Sequence, residues 1–140
     1  MTTQILKQRF LAMRNGVIAD TLRQAGMPYK VIFGLNVPQL AEIARSVISD
    51  REVLAQQLWD DREVRESRLL ACWLFDTAIM PRKRARQLME DVRTREEADI
   101  LAFRALRNLP YAGELVDELA GSSNPLTAYA ADALARNVSR

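Results

Sequence analysis

Apolar side chains return at steps of three and four residues along most of the chain, and no segment sustains an alternation of apolar and polar positions. This period predicts amphipathic helices rather than strands. The first apolar stripe runs through residues 4–22, and Gly26 and Pro28 end it. The pattern therefore predicts an all-α fold that begins with one long helix.

Helix-start signals divide the rest of the chain. Asn36, with Pro38 in the first turn, predicts the start of a second helix. Thr94, with Glu97 three positions later, is a capping-box pattern for a sixth helix. A third helix is predicted to begin at Ser49 or Asp50. Further helices are predicted over residues 63–75, 81–92 and 112–120, and from residue 124 onward. About eight helices result, and their short connections favour antiparallel pairs.

Three similar helical segments, residues 69–75, 100–106 and 129–135, each have alanine at the third position. These alanines are Ala71, Ala102 and Ala131. Their spacings of 31 and 29 residues each admit two short helices and two turns. This repeat indicates antiparallel helical hairpins that stack into a short curved solenoid, with alanine where helices cross closely. We expect residues 1–140 to form one such domain.

Composition excludes several classes of function. Hydrophobic residues make up 49% of the chain and charged residues 27%, which is the ordinary mixture of a globular protein. The chain has no histidine, which excludes His-based catalysis and nearly every common zinc site. We therefore expect no metal and no cofactor. Cys72 lies among apolar neighbours, where a buried small side chain is favoured over a nucleophile.

Membrane and secretion signals are not found in the sequence. No apolar run approaches the roughly 18 residues that a membrane span needs. Residues 1–4 do not show the charged region that opens a signal peptide. We therefore expect a cytoplasmic protein with no membrane partner.

A more specific pattern begins at residue 29. It runs, in chain order, through Tyr29, Phe33, Gly34, Leu35, Asn36, Pro38, Leu40, Ile43 and Ala44. This order resembles a phrase of the DNA alkylation repair glycosylases built from HEAT-like repeats. Leu58-Trp59, Arg65-Glu66 and residues 69–71 resemble their next phrase, so the resemblance extends over most of the chain. Gly34, Asn36 and Pro38 also suit any sharp turn between two helices, and that alternative explains much of the motif.

The resemblance implies a HEAT-like fold with a concave, basic surface that cradles duplex DNA. It also implies removal of alkylated purines with little base flipping. The lesion in such DNA is already cationic, so aromatic faces and a carboxylate near the sugar stabilise positive charge while water attacks. This chemistry requires no histidine, metal or cofactor.

The residues that perform this chemistry differ in part from the family pattern. Active relatives carry a tryptophan-led segment with an aspartate four residues on, at the helix that corresponds to residues 95–103. This chain has Asp99 there and no tryptophan. The relatives' arginine pair on a later helix corresponds to residues 126–130, which contain no arginine. Asp99 is the candidate catalytic residue, with a charge favoured by the helix dipole as the alternative, and we expect weak or lost glycosylase activity.

Local clusters of basic residues are the remaining functional signal, because 20 Lys and Arg against 18 Asp and Glu give a formal charge of only +2. The predicted nucleic-acid-binding residues are Arg82, Lys83, Arg84, Arg86, Arg104 and Arg107. The first four lie close together at the start of one predicted helix. They either contact phosphate or form a solvated face of that helix. The last two lie three residues apart on one helix and project together. Trp59 and Trp73 are expected in the core, and Asp132 faces either a groove or water.

Two functions remain open at this stage. The first is a DNA-binding, HEAT-like member of the alkylation-repair family with little or no catalytic activity, whose partner is duplex DNA. The second is a helical-repeat adaptor that binds a protein partner, as such arrays commonly do.

Overall fold

The computed structural model describes residues 1–138, which are all-α. The nine helices of these residues are α1 (Thr3–Ala12), α2 (Gly16–Gln24), α3 (Val37–Ser46), α4 (Arg51–Asp60), α5 (Arg65–Leu74), α6 (Arg82–Glu90), α7 (Arg95–Leu101), α8 (Ala112–Leu119) and α9 (Pro125–Val138). A π-helical turn, Ala102–Leu106, continues α7. None of these helices has the length and the apolar character needed to cross a membrane.

The single helix predicted over residues 4–22 is wrong, because the chain breaks between α1 and α2. The side-chain oxygen of Asn15 accepts the N–H of Ile18 at 3.1 Å and caps α2. Gly16, a poor helix former, follows it. The N–H of Asn15 also donates to the carbonyl of Phe33 at 2.8 Å. A bond to a distant segment therefore stabilises a break that the apolar period does not signal.

The other helix-start signals are confirmed. The side chain of Asn36 accepts the N–H of Gln39 at 2.9 Å, and the Gln39 side chain accepts the Asn36 N–H at 3.0 Å, which completes a capping box. Thr94 accepts the N–H of Glu97 at 3.1 Å, and the Glu97 carboxylate accepts the N–H of Arg93 at 2.9 Å. These bonds satisfy N–H groups that have no partner inside a helix.

The chain divides into two compact units, unit 1 (Met1–Phe75) with α1 to α5 and unit 2, from Asp76 onward, with α6 to α9. In unit 1, α5 packs against α3 and α4, and in unit 2, α9 packs against α6, α7 and α8. Ala71 and Ala131 are fully buried and Ala102 is almost so, which confirms that the repeated alanines lie in packed interiors. The curved solenoid and the single domain stay predictions.

The two tryptophans expected in the core of unit 1 differ in burial. Trp59 is buried edge-on against Phe75, with ring centroids 6.0 Å apart, whereas Trp73 is only half-buried. The guanidinium of buried Arg68 lies 3.6 Å from the centroid of the Trp59 ring and donates to the Trp59 carbonyl at 2.8 Å. Cys72 is buried, as predicted, and its thiol lies 3.7 Å from the carbonyl oxygen of Arg68.

A buried carboxylate fixes the loop before α3. Glu66 is fully buried, and its oxygens accept the N–H groups of Phe33, Gly34 and Leu35 at 2.9, 3.1 and 3.4 Å. Arg65 donates to the same carboxylate at 2.6 Å and to the Leu35 carbonyl at 3.0 Å. The motif at residues 29–44 and the motif at Arg65-Glu66 thus contact each other directly. This contact stabilises the fold.

Gly34, which suits a sharp turn between two helices, has a positive φ angle of +87°. A Cβ atom at this position would lie 2.3 Å from the backbone oxygen of Asn15 and 3.0 Å from the backbone nitrogen of Ala19. Because both neighbours are backbone atoms, no side chain fits between this loop and the start of α2.

Candidate functional site

An open cavity of about 360 Å³ in unit 2 is lined by charged and aromatic side chains. We name it the Asp99 cleft, and its lining residues are Asp99, Phe103, Tyr129, Arg136 and Asn137. They come from α7, the π-helical turn and α9, which pack against one another. A surface depression with a carboxylate, two rings and a cation is suited to a polar, planar ligand.

Local structure at the start of α7 positions the Asp99 carboxylate. The caps at Thr94 and Glu97 fix the first turn, and Glu97 and Ala98 are buried against the interior. Asp99 follows on the outer face, where half of its side chain is exposed. The carboxylate therefore reaches the cleft while the preceding acidic residue, Glu97, does not.

The Asp99 carboxylate already has partners within unit 2. The hydroxyl of Tyr129 donates toward its two oxygens, at 3.0 and 3.1 Å. A guanidinium nitrogen of Arg136 lies 3.7 Å from Asp99 and 3.7 Å from Asp132. Hydrogen bonding to Tyr129, with smaller contributions from Asp132 and Asp99, raises the pKa of Arg136 above its ordinary value. Arg136 is therefore a permanent cation beside the candidate catalytic group.

Further guanidinium groups surround the two rings of the cleft. The central carbon of the Arg95 guanidinium lies 5.0 Å from the centroid of the Tyr129 ring, and that of Arg136 lies 5.7 Å from it. Over Phe103, the corresponding distances are 5.0 Å for Arg104 and 4.3 Å for Arg107. The structure thus brings the predicted pair Arg104 and Arg107 to a ring that lines the same cleft as Asp99.

The basic run at the start of α6 is largely paired with acidic residues of α8. Arg82 forms ion pairs with Glu114, at 2.6 Å, and with Glu118. Arg86 lies 3.5 Å from Glu118 and 3.3 Å from Glu90. Their positive charge is therefore compensated at short range.

The two middle members of the run differ from each other. Burial lowers the pKa of the Arg84 guanidinium. Lys83 is exposed, and its ammonium forms no ion pair with the part of the chain that the structure describes. The four predicted residues thus do not act as a uniform cluster.

Sequence reasoning identified only Asp99 among the residues that line the cleft and missed Phe103, Tyr129, Arg136 and Asn137. It also missed Arg95, whose guanidinium lies beside the Tyr129 ring. Tyr129 begins one of the three segments with the repeated alanine and reads as a core residue. Arg136 lies seven positions later, on the same face of α9. This seven-residue spacing was the sequence signal that could have placed the two side chains together. Asp132 faces water and pairs with Arg136, which agrees with one of the two places expected for it.

No group of three or more His, Cys, Asp or Glu side chains within residues 1–138 has the arrangement of a metal site. A family model described as DNA alkylation repair enzyme matches residues 6–134, which is nearly the whole chain. No curated protein and no solved structure matches the chain at a significant level.

Proposed function

The chain belongs to the DNA alkylation repair family, and we propose that it binds duplex DNA and releases alkylated bases weakly or not at all. The observation that supports this proposal is the charge of the Asp99 cleft. Four guanidinium groups, those of Arg95, Arg104, Arg107 and Arg136, border its two rings.

Phosphate is the ligand that this surface favours. Guanidinium groups bind phosphate oxygens through short, charge-assisted hydrogen bonds. Two carboxylates at the cleft, Asp99 and Asp132, both lie near Arg136. The four guanidinium groups at the rings outnumber these two carboxylates. Lys83 and Arg84 on α6 are a second set of proposed phosphate contacts.

The same arrangement disfavours the chemistry of a glycosylase. Departure of a base leaves positive charge on the sugar, and a carboxylate must face that charge to stabilise it. The oxygens of Asp99 accept bonds from Tyr129 and lie beside Arg136. Arg95 is in the segment that carries a tryptophan in active relatives, so a further cation replaces an aromatic face. A cationic sugar in this cleft would meet repulsion from its neighbours.

Replacing Asp99 with asparagine should strengthen DNA binding at low salt and leave base release undetectable. The change removes a negative charge from the cleft and frees Arg136 for phosphate. Asp117→Asn is the matched control, because Asp117 is exposed on α8 of the same unit. This substitution removes the same charge at a position outside the cleft. Fluorescence polarisation measures affinity, and chromatography of free methylated bases from alkylated duplex DNA measures release. Robust release by the native chain that Asp99→Asn abolishes would show that Asp99 is catalytic.

The double substitution R104Q/R107Q should lower the salt dependence of DNA binding. Each lost phosphate contact reduces the slope of log K against log salt by about one, so we expect a decrease of about two. R82Q/R86Q removes the same number of charges from side chains that already pair with Glu114 and Glu118, and its decrease should be smaller. Polarisation titrations at several salt concentrations measure both slopes. A larger decrease for R82Q/R86Q would place the DNA on α6 instead.

A protein-binding adaptor is the second candidate function. The observation that favours it is the exposure of Val17, Ile48 and Val53 in unit 1, by 78%, 90% and 58%. Single exposed apolar side chains are normal on monomeric proteins, so this signal is weaker than the charge of the Asp99 cleft. Failure to bind duplex DNA even at low salt would remove the first proposal and favour the adaptor.

A further inference from the structure

We propose that Phe103, Arg104 and Arg107 form a stacking platform for an unpaired nucleobase. The chain then binds DNA that presents an extrahelical base more tightly than it binds intact duplex. This inference rests on the DNA binding proposed above and names the feature of DNA that the Asp99 cleft would recognise.

The exposure of Phe103 is the first observation. Phe103 is the most exposed aromatic residue among residues 1–138, with 41% of its surface accessible. The buried stripe of the same segment consists of Ala98, Leu101, Ala102, Ala105 and Leu106. Phe103 lies outside this stripe, on the side of the segment that also carries Arg104 and Arg107. Its ring therefore adds little to the core.

The charge around the ring identifies the partner. The guanidinium carbons of Arg107 and Arg104 lie 4.3 and 5.0 Å from its centroid. An apolar protein surface placed on this ring would have to desolvate both cations without pairing them, which is costly. A nucleotide offers a π face for the ring and a phosphate for the guanidinium groups. Since both arginines are exposed, they can turn toward phosphates and leave the ring to the base.

The backbone and the cleft provide the setting for this contact. The carbonyl of Ala102 accepts the N–H of Arg107 at 3.0 Å, five residues on, which closes the π-helical turn around the platform. Such turns occur frequently at functional sites. Phe103 also lines the Asp99 cleft together with Tyr129, so a base stacked on Phe103 would have room beside it.

The test compares two undamaged duplexes of the same sequence, one intact and one with a single bulged 2-aminopurine. We expect the native chain to bind the bulged duplex about 5- to 100-fold more tightly, the range that one stacked base contributes. Stacking on Phe103 should also quench the 2-aminopurine fluorescence. Phe103→Ala should abolish both the preference for the bulged duplex and the quenching, while its urea midpoint remains unchanged.

Phe103→Leu keeps the apolar bulk and removes the π face, and it decides the case if Phe103→Ala folds poorly. Loss of the preference in Phe103→Leu supports stacking. Its retention overturns the proposal, because an apolar wedge then suffices. Equal affinity of the native chain for the two duplexes overturns the inference but leaves the DNA-binding proposal intact. Failure to bind either duplex at low salt removes both.

Discussion

Replacing Glu66 with alanine should lower the free energy of unfolding of unit 1 by about 3–5 kcal/mol, the range for breaking a buried ion pair from one side. Three backbone N–H groups at residues 33–35 and the guanidinium of Arg65 would lose their carboxylate acceptor. Such a loss is a large share of the stability of a small domain. We therefore expect the variant to unfold at a much lower urea concentration.

The readout for Glu66→Ala can be confined to unit 1. The chain has two tryptophans, Trp59 and Trp73, and both lie in unit 1. Tryptophan emission during urea unfolding therefore follows this unit. Glu42→Ala is the matched control, because Glu42 is exposed on α3 and its loss should change stability by about 0.5 kcal/mol or less. Equal midpoints for the two variants would mean that the Glu66 carboxylate does not stabilise the loop.

Gly34→Ala should destabilise unit 1 by a similar amount, for a steric reason. The positive φ angle alone costs an alanine about 1–2 kcal/mol. The added Cβ would also lie 2.3 Å from the backbone oxygen of Asn15, so the loop or the start of α2 must shift. A shift of the loop would in turn lengthen its bonds to Glu66. We expect a total of about 3 kcal/mol or more, since the clash adds to the backbone strain.

Two other glycines of unit 1 separate these contributions. Gly26 has φ +93° and no heavy atom within 4 Å of an added Cβ, so Gly26→Ala measures the backbone cost alone. Gly16 has neither restriction, and Gly16→Ala at the start of α2 should be neutral or stabilising by up to about 1 kcal/mol. We expect the highest urea midpoint for Gly16→Ala, a lower one for Gly26→Ala and the lowest for Gly34→Ala. A Gly34→Ala midpoint equal to that of Gly26→Ala would show that the clash relaxes freely.

Local signals account for the parts of the fold that the sequence predicted. The caps at Asn36 and Thr94 depend on neighbouring residues, and the structure confirms both of them. The break at Asn15 was missed because the apolar period of residues 4–22 continues across it, although Asn15-Gly16 is itself a local N-cap and turn pattern. The hydrogen bond from Asn15 to Phe33, eighteen residues away, is the part that no local pattern marks. The π-helical turn was likewise not predicted, because the apolar stripe of α7 continues through it.

The candidate site shows the same limit. Asp99, Arg104 and Arg107 were identified from one segment of sequence, and the structure places them around one cleft. The partners of Asp99, Tyr129 and Arg136, lie thirty or more residues away from it, so only the packing of α9 against α7 reveals them. The pairing of Arg82 with Glu114 and Glu118 has the same origin. A basic run in a sequence therefore overstates the charge that is available at the surface.

The burial of Cys72 has a consequence for a protein of this family. Reagents that alkylate DNA bases are electrophiles, and a solvent-accessible thiolate is among the nucleophiles that consume them fastest. Cys72 is the one sulfhydryl of the chain, and it is 1% exposed inside α5. A burst of methylating agent would thus encounter this sulfur shielded by the interior, and the folded molecule would escape damage at the atom most prone to it.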